Sequence, residues 1–277
     1  MNEIADQEYD FIRRIVYDHS RINLGDDKKV LVTSRLAKRL RALNLNGYGD
    51  YCRLLKSPTG GEELGNLVDV ISTNHTNFFR ESKHFEFLQQ TVLPDWTPRL
   101  AKQCDTFRVW SAASSSGEEP YTIAIVLADY FSKLSGVGWA IEASDISTRI
   151  LAKAREAIYA QERLVEVKPE WRRRYFQKGV NDWAGHFRVK EELRQRVRFH
   201  HLNLLQARYP FISPFHVIFC RNVMIYFDRP TQESLVAKLT EQLAPGGYLL
   251  VGHSESLSGI QHTLRMVQPA TYVKATK

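Results

Sequence analysis

VWSAASSSGEEPYTIAIVLADYF (residues 109–131) begins as a short apolar strand and ends as a helix, with Ile123, Val126, Leu127 and Tyr130 at helical spacing. Between the two lies a turn of three serines, one glycine and two glutamates. A strand, a tight turn and a helix form the opening unit of a parallel α/β sheet. Downstream the rhythm repeats. GWAIEASDI predicts a strand ending in Asp145, and STRILAKAREAIY a helix opened by a Ser147 cap. RVRFHHLNLL and FHVIFCRNV predict two more strands, and RPTQESLVAKLTEQL a helix with Pro230 near its start. PGGYLLVGHS reads as a turn and a strand, and TLRMVQPATYVKATK as a final strand pair. The stretch 160–198 interrupts the alternation; FQKGVNDWAGHFRVK within it predicts a small inserted β subdomain.

Upstream, residues 1–85 predict an all-helical domain with its linker, and 86–277 the sheet domain. Tyr9, Ile12, Ile15, Val16 and Ile22 lie near one helical face. Leu36, Leu40 and Leu43 form a second stripe, with Arg35, Lys38, Arg39 and Arg41 largely on other faces.

Composition narrows the class. The 277 residues are 43% hydrophobic and 25% charged, the balance of a globular chain. No apolar run is long enough to cross a bilayer, and the polar start MNEIADQEYDFIRRI lacks a secretory signal, so no membrane insertion is expected. The three cysteines form no CxxC pair and the nine histidines no HExxH, so a reduced, cytoplasmic protein without a metal is expected. The net charge of +7 is uneven: Lys28 to Lys56 holds eight Lys/Arg and one acid, Asp50. Such a stretch is either a solvated face or a dock for an acidic partner.

The ligand class follows from the first turn. In an open α/β sheet, ligands sit beyond the carboxyl ends of the strands. A dinucleotide site would place GxGxxG there, so that backbone amides approach a pyrophosphate. SSSGEE has one glycine and two acids, Glu118 and Glu119, and a phosphate would meet like charge. Asp145, at the next strand end, suits ribose hydroxyls. S-adenosylmethionine carries an ammonium, a sulfonium and a ribose diol but no phosphate, and it matches that acidic rim. The bland alternative is that the two glutamates only complement the helix dipole.

TNHTNFFRE (73–81), VWSAASSSGEEPY (109–121), ASDI (143–146), LNLL (202–205), FCRNVMIYFD (219–228) and GHSES (252–256) together resemble, in order, the motifs of the chemotaxis receptor methyltransferases, the CheR family. The likeness covers nearly the whole chain; the turn departs slightly, with Ser114 and Ser116 where many members carry Ala or Cys and Thr.

The resemblance implies a Rossmann-like S-adenosylmethionine-dependent methyltransferase sheet behind an N-terminal all-helical domain. It implies that Asn74, Thr76 and Arg80 contact the cofactor, that Glu119 is the acid of the turn and that Asp145 holds the ribose. Asn203 and Leu204 line the adenine and ribose side, and Arg221 and Asn222 reach the cofactor from the fourth strand. Tyr226 faces the transferred methyl and, with Arg80, shapes the reaction centre. The implied reaction methylates glutamate side chains on cytoplasmic helices of chemoreceptors and releases S-adenosylhomocysteine. The β subdomain holds a receptor C-terminal peptide in some members, and a monomer is expected. A nucleic-acid methyltransferase would want an Asn/Asp-Pro-Pro-aromatic turn where this chain has CRNVMIYF, so no nucleic-acid partner is expected. The rival class is a non-catalytic module that binds cofactor and receptor as a sensor.

Overall fold

The computed structural model describes residues 3–72, 74–134 and 136–276. They divide into two compact units, one of the chain up to residue 73 with Ile225–Gln232, the other of Asn74–Met224 with Glu233 onward. The segment 74–85, read as a linker to the helices, groups with the sheet: Phe79 and Phe85 pack there, on Trp171 and Phe219.

The helical unit contains α1 (Asp6–Ser20), α2 (Lys29–Ala42), α3 (Tyr48–Lys56) and α4 (Gly60–Ile71). Apolar residues three and four apart put one face of each helix in the core. Tyr9, Ile12 and Val16 of α1 meet Val32, Leu36 and Leu40 of α2, Tyr51 and Leu55 of α3 and Leu67 and Ile71 of α4. Two acids of α4, Glu63 and Asp69, are buried as well. Glu63 accepts from Arg39 Nε at 2.9 Å and Nη2 at 2.5 Å, from Tyr51 Oη at 2.7 Å and from Asn66 Nδ2 at 3.3 Å. The basic face of α2 is therefore smaller than its sequence suggests. Arg39 is turned inward, and Arg35 donates to the Ile71 carbonyl, whereas Lys38 and Arg41 stay exposed. The returning segment Ile225–Gln232 is tied to α1: the Tyr226 carbonyl accepts from the Asn23 amide at 2.9 Å, and Tyr17 Oη donates to Asp228 at 2.5 Å.

The second unit opens with α5 (Lys83–Phe87), a π-helical turn (Leu88–Val92) and α6 (Leu93–Gln103). It then runs β1 (Thr106–Ala112), α7 (Glu118–Phe131), β2 (Gly138–Asp145), α8 (Thr148–Glu156), β3 (Ile158–Ala160), α9 (Pro169–Tyr175), β4 (Phe176–Lys178), β5 (His186–Val189) and α10 (Glu191–Arg194). The chain ends through β6 (Val197–His201), β7 (Phe215–Cys220), α11 (Arg229–Gln242), β8 (Leu243–Val251), β9 (Arg265–Gln268) and β10 (Thr271–Val273), with α11 spanning the unit boundary. The main sheet has the order β6-β2-β1-β7-β8-β10-β9. Its first five strands are parallel, and β10 and β9 close it antiparallel. Strands covered on both faces read as continuous apolar runs, and all six residues of β7 are buried. The Ser147 hydroxyl caps α8, accepting from the Ile150 amide at 3.1 Å. The insertion is a three-stranded antiparallel sheet, β3-β5-β4.

The reversal in strand order between β1 and β7 opens a crevice at the carboxyl ends. The β1–α7 turn there places Ala113, Ser115 and Gly117 in the left-handed region. Gly117, at φ +98°, has no room for a side chain: a Cβ would sit 2.7 Å from Tyr159 Oη and 3.1 Å from the Ala154 Cβ. Tyr159 occupies that space to donate to the Ser116 carbonyl at 2.8 Å.

Two predictions follow from these contacts. Burial alone would raise the Glu63 carboxyl, but its bonds from Arg39 and Tyr51 outweigh it and hold it below its usual value. A depressed carboxyl contributes stability that is present above its unfolded pKa and lost as pH falls through the folded one. Glu63→Gln should cost about 1–3 kcal/mol at neutral pH and flatten the stability profile below about pH 4.5. Thermal unfolding of both chains across pH checks it, and an equal deficit at pH 3 and pH 7 contradicts it. Gly117→Ala should lower stability by about 2 kcal/mol, with part of the loss restored by adding Tyr159→Phe. Urea unfolding of the single and double variants measures both.

Candidate functional site

The crevice floor is organised by Arg221, which follows β7 and has a side chain only 2% exposed. Its Nε and Nη2 donate to Glu81 Oε2 at 3.2 and 2.9 Å, and Nη1 to Glu119 Oε2 at 3.1 Å. Nη2 also donates to the Arg80 carbonyl at 2.5 Å. One guanidinium thus serves two carboxylates and a carbonyl, and the planar donor fork makes that division possible. Burial acts to raise the Glu81 carboxyl, but Arg221 outweighs it and holds it below its ordinary value. Burial wins at Glu119 and pushes its carboxyl up, despite Arg221 and the 2.7 Å hydrogen bond from Ser111 Oγ.

The two acids of the first turn have different surroundings. Glu119 faces Ser111 and Arg221. Glu118 is turned toward the insertion, where it meets Arg163 Nη2 at 2.9 Å and accepts from Ser116 Oγ at 2.6 Å. Burial raises its carboxyl as well. At the next strand end, Asp145 accepts from the Ser115 amide at 2.8 Å and the Ser147 amide at 3.0 Å. One carboxylate thereby fixes the first turn to the start of α8.

Of the other residues singled out in the sequence, Asn74 is held to the turn, its carbonyl accepting from Ser115 Oγ at 3.3 Å. Thr76 is buried nearby in the chain. Arg80 lends its carbonyl to Arg221, while its Nη1 donates to the His75 carbonyl at 2.9 Å. Asn203 forms an Asx turn after β6, accepting from the Leu205 amide at 2.9 Å, and Leu204 is buried with its carbonyl bonded to Tyr209. Asn222 has left-handed φ (+57°) and contacts Glu81 Oε1 at 3.4 Å. Tyr226 belongs to the helical unit.

Two acids that received no role from the sequence are structural here. Glu255 accepts from the Gly252, Asn222 and Met224 amides, each at 2.7 Å, and so staples the end of β8 to the loop after β7. Glu81 takes the Arg221 bonds and the His253 amide at 3.2 Å. Both stood within quoted motifs, FFRE and GHSES, but only the fold shows that they reach across about 30 and 140–170 residues.

Among these groups the donor set fits a cationic, hydroxyl-bearing ligand. Glu81 and Glu119 bring two negative charges to one guanidinium, which leaves an excess negative charge at a site with little water. A phosphate would be repelled there, whereas an ammonium or sulfonium offsets it. S-adenosylmethionine is such a ligand, and Glu119 and Asp145 are the residues that would hold its charged and diol groups.

Comparison with known proteins agrees. Residues 74–273 match the family model described as the CheR methyltransferase SAM binding domain, and residues 7–72 the model of the CheR methyltransferase all-alpha domain. The chain is 42% identical over 274 residues to the chemotaxis protein methyltransferase of Borreliella burgdorferi, covering 98% of this chain and 95% of that one. It is 40% identical over 264 residues to the chemotaxis protein methyltransferase of Escherichia coli, covering 95% and 89%. It is 39% identical over 269 residues to chemotaxis protein methyltransferase 2 of Pseudomonas aeruginosa, covering 97% and 93%. With two family models matched over residues 7–72 and 74–273 and identity sustained across almost the full length, this chain belongs to the CheR methyltransferase family.

Proposed function

We propose that this protein transfers a methyl group from S-adenosylmethionine to glutamate side chains of chemoreceptors, giving glutamyl methyl esters and S-adenosylhomocysteine. The observation that carries the reading is the acidic rim: Glu119 stands in the first turn, where a phosphate-binding fold would place glycines, and Asp145 at the adjacent strand end. Family membership supports the reaction class.

Bound S-adenosylmethionine supplies an electrophilic methyl on a positively charged sulfur. Asp145 would hold the ribose diol, Asn203 and Leu204 would line the adenine and ribose side, and Asn74 and Thr76 would contact the cofactor. Glu119 offsets the positive charge. Arg221, already shared among Glu81, Glu119 and the Arg80 carbonyl, acts through Glu119 as its positioning residue, with Asn222 beside it. A glutamate carboxyl titrates at about 4.3, so the acceptor is an anion at neutral pH and no residue of the chain need act as a base. The residues contribute by orienting the acceptor and excluding water, effects worth several orders of magnitude. Arg80 would orient the substrate or cofactor carboxylate only loosely, and Tyr226 would supply a neutral hydrogen bond. A strong fixed cation on the attacking oxygen would hold it back.

The exposed Lys38 and Arg41 of α2 provide a positive face for the acidic methylation helices of a receptor. The small sheet has two edge strands, β3 and β4, on which a receptor C-terminal peptide could add as a further strand. A cytoplasmic monomer completes the reading, and no helix among the described residues is long and apolar enough to cross a membrane.

The reaction is tested by incubating the protein with receptor-containing membranes and methyl-labelled cofactor. Label should enter the receptor as an ester that mild base releases as methanol; base-stable label, or none, rejects the proposal. Tyr226→Phe should lower kcat about tenfold or more while S-adenosylhomocysteine affinity stays nearly constant. Wild-type turnover would remove Tyr226 from the reaction centre. Lys38→Glu with Arg41→Glu should raise the receptor KM about fivefold or more and leave cofactor binding intact. An unchanged KM discards the docking face.

A further inference from the structure

His84 sits in α5 with no solvent exposure, and neither ring nitrogen has a hydrogen-bond partner. A buried, unpartnered imidazole is costly and calls for a physical explanation. Its Nδ1 lies 3.6 Å from Glu81 Oε2, and its ring meets that of His253 edge-on with centroids 4.9 Å apart. Among the described residues, Glu81, His84 and His253 form the one group of three His, Cys, Asp or Glu whose ligating atoms all lie within 4.8 Å of one another.

From this geometry we infer that Glu81, His84 and His253 form a binding site for one divalent transition-metal ion of the zinc class. Two imidazoles and a carboxylate are a donor set that zinc accepts. Ligand atoms of a tetrahedral zinc lie about 3.3 Å apart, given metal–ligand bonds of about 2.0–2.1 Å. His84 Nδ1 already lies 3.6 Å from Glu81 Oε2, the carboxylate oxygen other than the Oε1 a metal would take. Closing the group from separations of up to 4.8 Å takes a movement of up to about 1.5 Å, and His253 is the exposed ligand of the three. The exposed side also leaves the fourth position open to water. Glu81 keeps its Arg221 bonds on Oε2; a metal on Oε1 would displace the two contacts there, from the His253 amide at 3.2 Å and from Asn222 Nδ2 at 3.4 Å. His84 then acquires the partner it lacks. None of the three ligands is proposed to contact the cofactor directly, although Glu81 is bonded to Arg221 and Asn222 of that crevice, and metal occupancy is measurable without methyl transfer.

The test uses the full-length protein freed of metal with a chelator. Co2+ is titrated and followed by visible absorption, and Zn2+ by calorimetry. One ion per chain should bind, with the intense visible band of a four-coordinate cobalt site. His253→Ala, a change at an exposed position, should abolish the band and weaken zinc binding about 100-fold or more. The exposed control His262→Ala should leave both unchanged. His84→Leu should behave as His253→Ala does; if circular dichroism shows that it misfolds, His253→Ala decides alone. Absence of a band in the wild-type chain overturns the inference. So does a band that persists in His253→Ala, and one lost in Cys104→Ser would place the metal at that exposed thiol.

Discussion

A single guanidinium holds the crevice together. Arg221 is almost fully removed from water, and such a cation is tolerated only where fixed acceptors replace its hydration. Glu81, Glu119 and the Arg80 carbonyl are those acceptors; Arg80 and Glu81 come from the strained segment before α5, and Glu119 from the start of α7. Phe79 and Glu81 both have left-handed backbone (φ +55° and +56°), which side chains of that size adopt only under constraint. The Arg221 bonds and the stacking of Phe79 on Trp171 supply that constraint. Removing the cation would leave two buried carboxylates without compensation, a larger loss than any single exposed ion pair could cause.

The same logic separates structural from ligand-directed charge. Glu63 is fully engaged by Arg39, Tyr51 and Asn66, so it is part of the helical core's own bonding. At the crevice the balance is incomplete: acid outnumbers base, and burial raises Glu119 rather than lowering it. A carboxylate that the protein leaves under-compensated is stabilised when a cation arrives. That asymmetry makes the rim a binding site.

Much of this was legible in the sequence because it depends on local pattern. The apolar runs of β1, β2 and β7, the Ser147 cap and the acids at the strand ends each follow from a few consecutive residues. The basic stretch of α2 misled for the complementary reason. Arg39 shares a charge type with Lys38 and Arg41, and only the position of Glu63 on another helix determines that it turns inward. Glu255 and Glu81 were equally hidden, since their partners lie far away in the chain. Glu118 and Glu119 were read as a pair, although adjacent helical residues point about 100° apart and reach different neighbours.

That divergence at the start of α7 links the inserted sheet to the crevice. Glu118 and Ser116 bind Arg163 and Tyr159 of the insertion, and Ser115, one residue earlier, is bonded to Asp145. The small sheet is therefore no detachable ornament. Recombination that swapped it between relatives for a new docking specificity would have to preserve Tyr159 and Arg163, or the exchanged module would loosen the nucleoside cradle it is grafted beside.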